Sequence, residues 1–260
     1  AGEWEKLWKA QDIVVASENA FDQLAIRFAI YHLNIMVKKD DNRVGIGAKA
    51  LSGEGYKGHS FWDTEVFILP YYMLTQPDTA RTLLEYRYKN LFGAHKKAQE
   101  NGFDGAMYPW ESAWIEDREE TPLCGAAEDV TGEPLHILTG MIEQHSTADI
   151  AIAVWQYYIA TADDDFMERF GYEIIMDTAK FWVSRLEWNE TLDRYEINDV
   201  IGPDEYSEHV DNNAYTNYLA AYNMKLAENL INTLPGNENL KLRAVYDRLD
   251  IKLDLQALKT

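Results

Sequence analysis

Three short stretches of this chain set carboxylates beside aromatic rings, the combination that a carbohydrate site uses. In Ile201-Gly202-Pro203-Asp204-Glu205-Tyr206, the Gly-Pro pair breaks whatever precedes it and presents two carboxylates on a turn. Val210-Asp211-Asn212-Asn213-Ala214-Tyr215 follows, with amides and a further tyrosine just ahead of a helical pattern. Phe61-Trp62-Asp63-Thr64-Glu65 and Tyr108-Pro109-Trp110-Glu111-Ser112 repeat the chemistry. Aromatic rings stack on pyranose faces, amides bind hydroxyls, and a carboxylic acid protonates a leaving glycosidic oxygen. Alone, the first stretch reads equally well as a polar turn capping a helix, and each of the other two reads more readily as a structural feature, such as an acid at a helix start. Their recurrence, each expected in a loop that opens a helix, favours one shared site.

Other motifs carry less. Gly53-Glu54-Gly55-Tyr56-Lys57-Gly58 formally matches G-x-G-x-x-G, but no strand precedes it and no βαβ unit surrounds it, so a dinucleotide site is not expected. Its glycines are read as mobility or close backbone approach. His59, His95, His136, His145 and His209 show no metal-ligand spacing, and His32 lies within the first helical stripe. Ser146 lacks a nucleophile-elbow context. No metal site and no acyl-transfer triad are expected.

Composition bounds the rest. The chain has 260 residues and is 47% hydrophobic, enough for one large domain. Eight Trp and sixteen Tyr exceed what a core needs, since each brings a polar atom that wants a partner; an aromatic-lined cleft would use them. A net charge of −20 argues against nucleic acid and anionic membranes as partners. Cys124 is the single cysteine, which precludes an internal disulfide and fits a reducing, cytoplasmic compartment. No apolar run is long enough to span a bilayer, and no signal sequence opens the chain.

Apolar spacing is helical almost throughout. Phe21 to Met36 forms one stripe, and Phe61 to Leu74 a second, ended by Pro77. Asp78 reads as the N-cap of a helix to about Gln99. Further helices are expected over 142–160, 165–186, 214–230 and 240–249, with Tyr195-Glu196-Ile197 as a short strand or extended linker. Three long loops, 40–60, 101–145 and 189–213, separate them; such loops in a compact domain are usually functional. No fixed repeat is visible.

Taken in order, Gly53 to Glu65, Tyr108 to Ser112, Gly202 to Tyr206 and Asp211-Asn212-Asn213-Ala214-Tyr215-Thr216-Asn217 resemble glycoside hydrolase family 65, the maltose, trehalose, kojibiose and nigerose phosphorylases. The resemblance runs from about Gln23 to Asn229. It implies an all-α fold, an (α/α)6 barrel incomplete in this chain. Residues 1–20 would be a linker and entry segment, and 21–260 the first two-thirds or so of the catalytic barrel. It implies Glu205 as general acid, with Trp62, Asp63, Trp110 and Glu111 holding the non-reducing glucose. His145 and Asp149 lie in a stretch that also resembles the family, without an assigned role. No cofactor is implied; inorganic phosphate is the co-substrate, and the phosphate-binding Lys, Ser and His groups would lie beyond Thr260, as the family's β-sandwich would lie before Ala1. A homodimer is expected of the full-length protein.

The reaction so implied is inverting phosphorolysis of an α-linked glucose disaccharide, giving β-glucose 1-phosphate and glucose. Phosphate is already anionic, so it needs no second carboxylate, whereas a hydrolase of the family would use one to deprotonate water. Aromatic burial and neighbouring Asp204 are expected to keep Glu205 protonated. Two other readings stay open: hydrolysis by the same fold, and a non-catalytic sugar-binding helical domain.

Overall fold

The computed structural model describes residues 2–116, 118–127, 132–233 and 240–249. Ala1 and residues 250–260, the outer limits of the expected domains, lie outside them. The elements are α1 (Gly2–Gln11), α2 (Ala20–Ile35), α3 (Leu69–Thr75), α4 (Pro77–Lys89), α5 (Leu91–Glu100), α6 (Thr139–Ile142), α7 (Ser146–Thr161), α8 (Asp164–Phe166), α9 (Tyr172–Arg185), α10 (Ala214–Thr233) and α11 (Leu240–Leu249). Two small antiparallel pairs of strands occur: β1 (Cys124–Ala127) with β2 (Pro134–His136) in the second long loop, and β3 (Glu187–Asn189) with β4 (Arg194–Glu196) at the start of the third.

Burial of apolar faces explains the packing. Helix α9 lies against α7, α10 and α11, while α4 and α3 also pack on α7. Ile174, Ile175, Phe181 and Trp182 of α9 are fully buried, as are Ile150 and Val154 of α7 and Leu83 and Leu84 of α4. Each such side chain removed from water contributes roughly 1.5–3 kcal/mol. Local signals set the ends. Asn19 accepts the Phe21 N–H at 3.0 Å to cap α2, and Asp163 accepts the Phe166 N–H at 3.0 Å to start α8.

The expected single helix to Gln99 is in fact two. Pro77, not Asp78, opens α4, and α4 ends at Asn90, whose buried amide donates to the Trp114 carbonyl at 2.7 Å. The run over 165–186 is likewise divided: a π-helical turn, Met167–Gly171, joins α8 to α9. A second π-helical turn, Thr64–Ile68, leads into α3 directly after Trp62 and Asp63. Residues 2–11, expected as part of a linker, form α1.

At the centre lies one buried guanidinium. Arg87, in α4, donates to both carboxylate oxygens of Glu65 at 2.7 and 2.8 Å, to the Phe61 carbonyl at 2.9 Å and to Ser112 Oγ at 3.2 Å. Both partners are almost wholly buried, 2% exposed each. Burial pushes the Glu65 carboxyl above its ordinary value, with Arg87 opposing. Removing one partner of such a pair strands a charge in a low dielectric. Arg87→Met should therefore cost about 3–5 kcal/mol of unfolding free energy, and the double variant Arg87→Met/Glu65→Leu should recover much of it. Urea unfolding of the three proteins measures this.

Candidate active site

The two loops joined by Arg87 carry the first two aromatic–acid clusters. Ser60 and Ser112 exchange backbone hydrogen bonds, Ser60 N–H to Ser112 O at 2.8 Å and the reverse at 3.1 Å. Tyr86 donates to Ser112 Oγ at 3.0 Å, and Tyr108 donates to the Arg87 carbonyl at 2.9 Å. The Trp110 segment thus does not open a helix, contrary to the sequence expectation. Its place is fixed sideways, by pairing with residue 60 and by the guanidinium.

A second buried cation stands behind it. Lys97 of α5 is 3% exposed and pairs with Glu119, while burial presses its ammonium below the ordinary value. The same carboxylate accepts the backbone N–H of Trp110 at 2.8 Å and of Glu111 at 3.0 Å, and the Thr121 hydroxyl at 2.8 Å. The Glu111 side chain meets His59 Nδ1 at 2.6 Å.

The third cluster is a loop closed at its base. Val200 and Val210 exchange backbone hydrogen bonds at 3.0 and 2.8 Å, and Ile201 N–H donates to the Ile142 carbonyl at 3.1 Å. Gly202 is required there, because a Cβ would stand 2.3 Å from Asn213 Nδ2. Asp204 turns back on its own turn and accepts from Ser207 Oγ at 3.1 Å. Asp211 accepts the Asp199 N–H at 3.1 Å, the Asn212 side-chain oxygen accepts the Ile197 N–H at 3.3 Å and Asn217 Nδ2 at 3.2 Å, and Asn213 caps α10 by accepting the Thr216 N–H at 3.1 Å. The amides expected to bind sugar hydroxyls therefore hold the loop and start the helix instead. The loop presents Glu205 exposed, so aromatic burial of this carboxyl is not found.

These three loops meet. Trp62, Asp63, Trp110, Glu111 and Glu205, the five residues selected from sequence, all line one cavity of about 730 Å³. The Trp62 and Trp110 rings lie 6.4 Å apart at 35°. The glycine-rich loop forms another wall through Lys49, Glu54, Tyr56 and Lys57, with Tyr56 and Lys57 in the left-handed region at φ 58° and 54°. Glu120, Thr121, Pro122, Ile137 and Thr139 line the cavity from the second long loop. Their only sequence signal is that loop's length. Among the described residues no cluster of His, Cys, Asp and Glu could hold a metal ion.

Behind the tryptophans runs a polar chain that sequence reasoning did not assemble. Tyr215 donates to Asp149 Oδ1 at 2.8 Å, Asp149 Oδ2 lies 2.7 Å from His145 Nδ1, and His145 Nε2 lies 3.1 Å from Glu143 Oε1. His145, Asp149 and Glu143 are buried. The imidazole stands edge-on to Trp62, Trp110 and Tyr215, with ring centroids 4.8, 5.9 and 5.1 Å away. Burial opposes its charge, but the hydrogen bonds to Asp149 and Glu143 outweigh that and raise His145 to about 9. Burial likewise raises Glu143, to about 7, with Glu205 and Asp149 adding to the effect and His145 opposing it.

Residues 27–252 match the glycosyl hydrolase family 65 central catalytic domain. The chain is 55% identical to the kojibiose phosphorylase of Halothermothrix orenii over 96% of its length and 32% of that protein's. It is 43% identical to the kojibiose hydrolase of Flavobacterium johnsoniae, over 86% of this chain and 30% of the relative. A solved structure of a putative kojibiose phosphorylase from the human microbiome superposes with a TM-score of 0.83 at 25% identity, over 99% of this chain and 35% of that one. The chain belongs to glycoside hydrolase family 65, and its helices are those of an (α/α)6 barrel. It spans about a third of the length of the curated relatives it matches.

Two outcomes follow from this geometry. Glu119→Ala strips the acceptor from the Trp110 and Glu111 N–H groups and strands buried Lys97, so it should destabilise by about 3 kcal/mol or more. Lys97→Met leaves Glu119 its N–H and hydroxyl donors and should cost less; urea midpoints rank the two. The raised His145 binds its proton more tightly folded than unfolded. Its stabilising contribution is full below the ordinary value of 6.5 and is lost as pH rises through about 9. The thermal midpoint of the protein should therefore fall across that window, and His145→Gln should flatten the fall.

Proposed function

We propose that this chain carries the acid and the glucose clamps of an inverting disaccharide phosphorylase. The supporting observation is the convergence of two Trp, two clamp carboxylates and Glu205, from three distant loops, on one cavity. Its volume falls within the range usual for small-ligand sites. The non-reducing glucose stacks against Trp62 and Trp110, and Asp63 and Glu111 accept its hydroxyls. Glu205 protonates the glycosidic oxygen as the bond breaks, and inorganic phosphate attacks the anomeric carbon from the opposite face. The products are β-glucose 1-phosphate and a free sugar, with no cofactor involved. Kojibiose is the first substrate to test, given the relatives, with maltose, nigerose and trehalose beside it.

The reaction is assayed on the protein expressed from its complete coding sequence. Phosphate-dependent release of β-glucose 1-phosphate is expected; glucose alone, formed equally without phosphate, would mean hydrolysis, and no turnover a sugar-binding domain. Glu205→Gln keeps size and hydrogen bonding but cannot donate a proton as an acid. Disaccharide turnover should fall by roughly 10²–10⁴-fold with little change in affinity. α-Glucosyl fluoride, whose leaving group needs little protonation, should restore part of the loss. Near-normal disaccharide turnover in Glu205→Gln would remove Glu205 from the mechanism.

A further inference from the structure

Glu143 has no part in the reading above, yet its environment is unusual. It is 0% exposed, one carboxylate oxygen faces His145, and the other, Oε2, has no hydrogen-bond partner among the described residues. A buried carboxylate left half unpartnered costs free energy in the resting protein. Glu143 stands behind the cavity wall rather than in it, and its charge interacts with that of Glu205. His145, which holds Glu143, packs edge-on against Trp62 and Trp110, the two rings that line the cavity. Ile142, next to Glu143, accepts the N–H of Ile201 at 3.1 Å, at the base of the loop that presents Glu205.

We propose that the buried Glu143–His145–Asp149 chain supplies negative potential through the cavity wall, stabilising the positive charge that develops on the glucosyl ring as the glycosidic bond breaks. The transition state of glycoside cleavage resembles an oxocarbenium ion, and fixed charge aimed at it needs no reorganisation at the moment of reaction. With His145 protonated, ionisation of Glu143 adds one negative charge to the chain. Among the described residues no donor meets Oε2 to disperse that charge. The inference rests on the cavity being a glucosyl site, but not on Glu205 being the acid.

The groups that face this chain come from several elements. Asp149 and His145 belong to α7 and its N-terminal end, Tyr215 to α10, and Glu205 to the third long loop. Glu65, paired with Arg87, acts on the chain's Asp149 side, and Arg185 of α9 binds the neighbouring Gln144 at 2.9 Å. Glu143 is raised to about 7, so its charge turns on across the neutral range, while His145, raised to about 9, stays protonated there.

α-Glucosyl fluoride separates this charge from acid catalysis, because it needs the developing ring charge stabilised but little protonation of its leaving group. A unit charge roughly 10 Å away across an effective dielectric of ~20 changes a rate by about tenfold. Glu143→Gln in the complete protein should lower turnover of fluoride and disaccharide alike by about that factor. Phosphate titrates in the same range, so wild type and variant are compared at equal, saturating phosphate. The wild-type to variant ratio for fluoride should be near one at acid pH and grow as pH rises through about 7. Glu143→Asp, which keeps the charge, should retain the pH dependence even if it is slower. A ratio that stays constant with pH, or fluoride turnover unchanged in Glu143→Gln, would overturn the proposal. Should Glu143→Gln not fold, wild-type fluoride turnover lacking any rise beyond that of the phosphate dianion would overturn it too. Failure of wild type on every glucoside would instead defeat the phosphorylase reading, and a missing fluoride rescue in Glu205→Gln the acid assignment.

Discussion

The guanidinium of Arg87 is the constraint on which the cavity depends. One rigid fork joins Glu65, the Phe61 carbonyl and Ser112, and so fixes the loop of Trp62 and Asp63 relative to the loop of Trp110 and Glu111. Arginine suits this place because its donors are planar and its charge persists when buried. A lysine could reach one partner but could not hold both loops in register. The desolvation cost is met by geometry: the hydrogen bonds of Arg87 to Glu65, Phe61 and Ser112 are between 2.7 and 3.2 Å. The pair therefore buys alignment rather than net stability.

The same economy recurs in smaller form around it. Glu119, steadied by Lys97, gathers the backbone N–H groups of Trp110 and Glu111 onto one carboxylate. Asn213 starts α10, which delivers Tyr215 to Asp149 and so positions the imidazole behind the tryptophans. Structural polar groups and cavity-lining groups alternate along the chain. Trp62 and Asp63 face the cavity and Glu65 the guanidinium; Glu205 faces the cavity, and Asp211 to Asn213 fasten its loop. A site assembled from loops is held as firmly as one built on helices when each loop is pinned at its base.

Helix positions were legible because apolar spacing records which face is buried, as in Phe21 to Met36 and in 214–230. The bend at Asn90 was not, because an amide answering the Trp114 carbonyl is a tertiary fact with no periodic trace. The β1–β2 hairpin, built on Cys-Gly-Ala-Ala, lacks the alternation that marks a half-buried strand. In the site, Trp62, Asp63, Trp110, Glu111 and Glu205 stood out because ring and acid are neighbours in sequence. Glu119, Lys97 and Glu143 did not, since each acts through a partner brought close only by folding. Sequence likewise does not tell the Asn213 amide, which caps α10, from one that binds a hydroxyl.

The most direct test is a crystal structure of the complete protein soaked with glucose or a slowly reacting glucoside. The pyranose should lie against Trp62 and Trp110, with hydroxyls on Asp63 and Glu111 and the Glu205 carboxyl within hydrogen-bond reach of the anomeric oxygen. Sugar bound away from this cavity, or bound in it with Glu205 turned from the anomeric oxygen, would contradict the site described here.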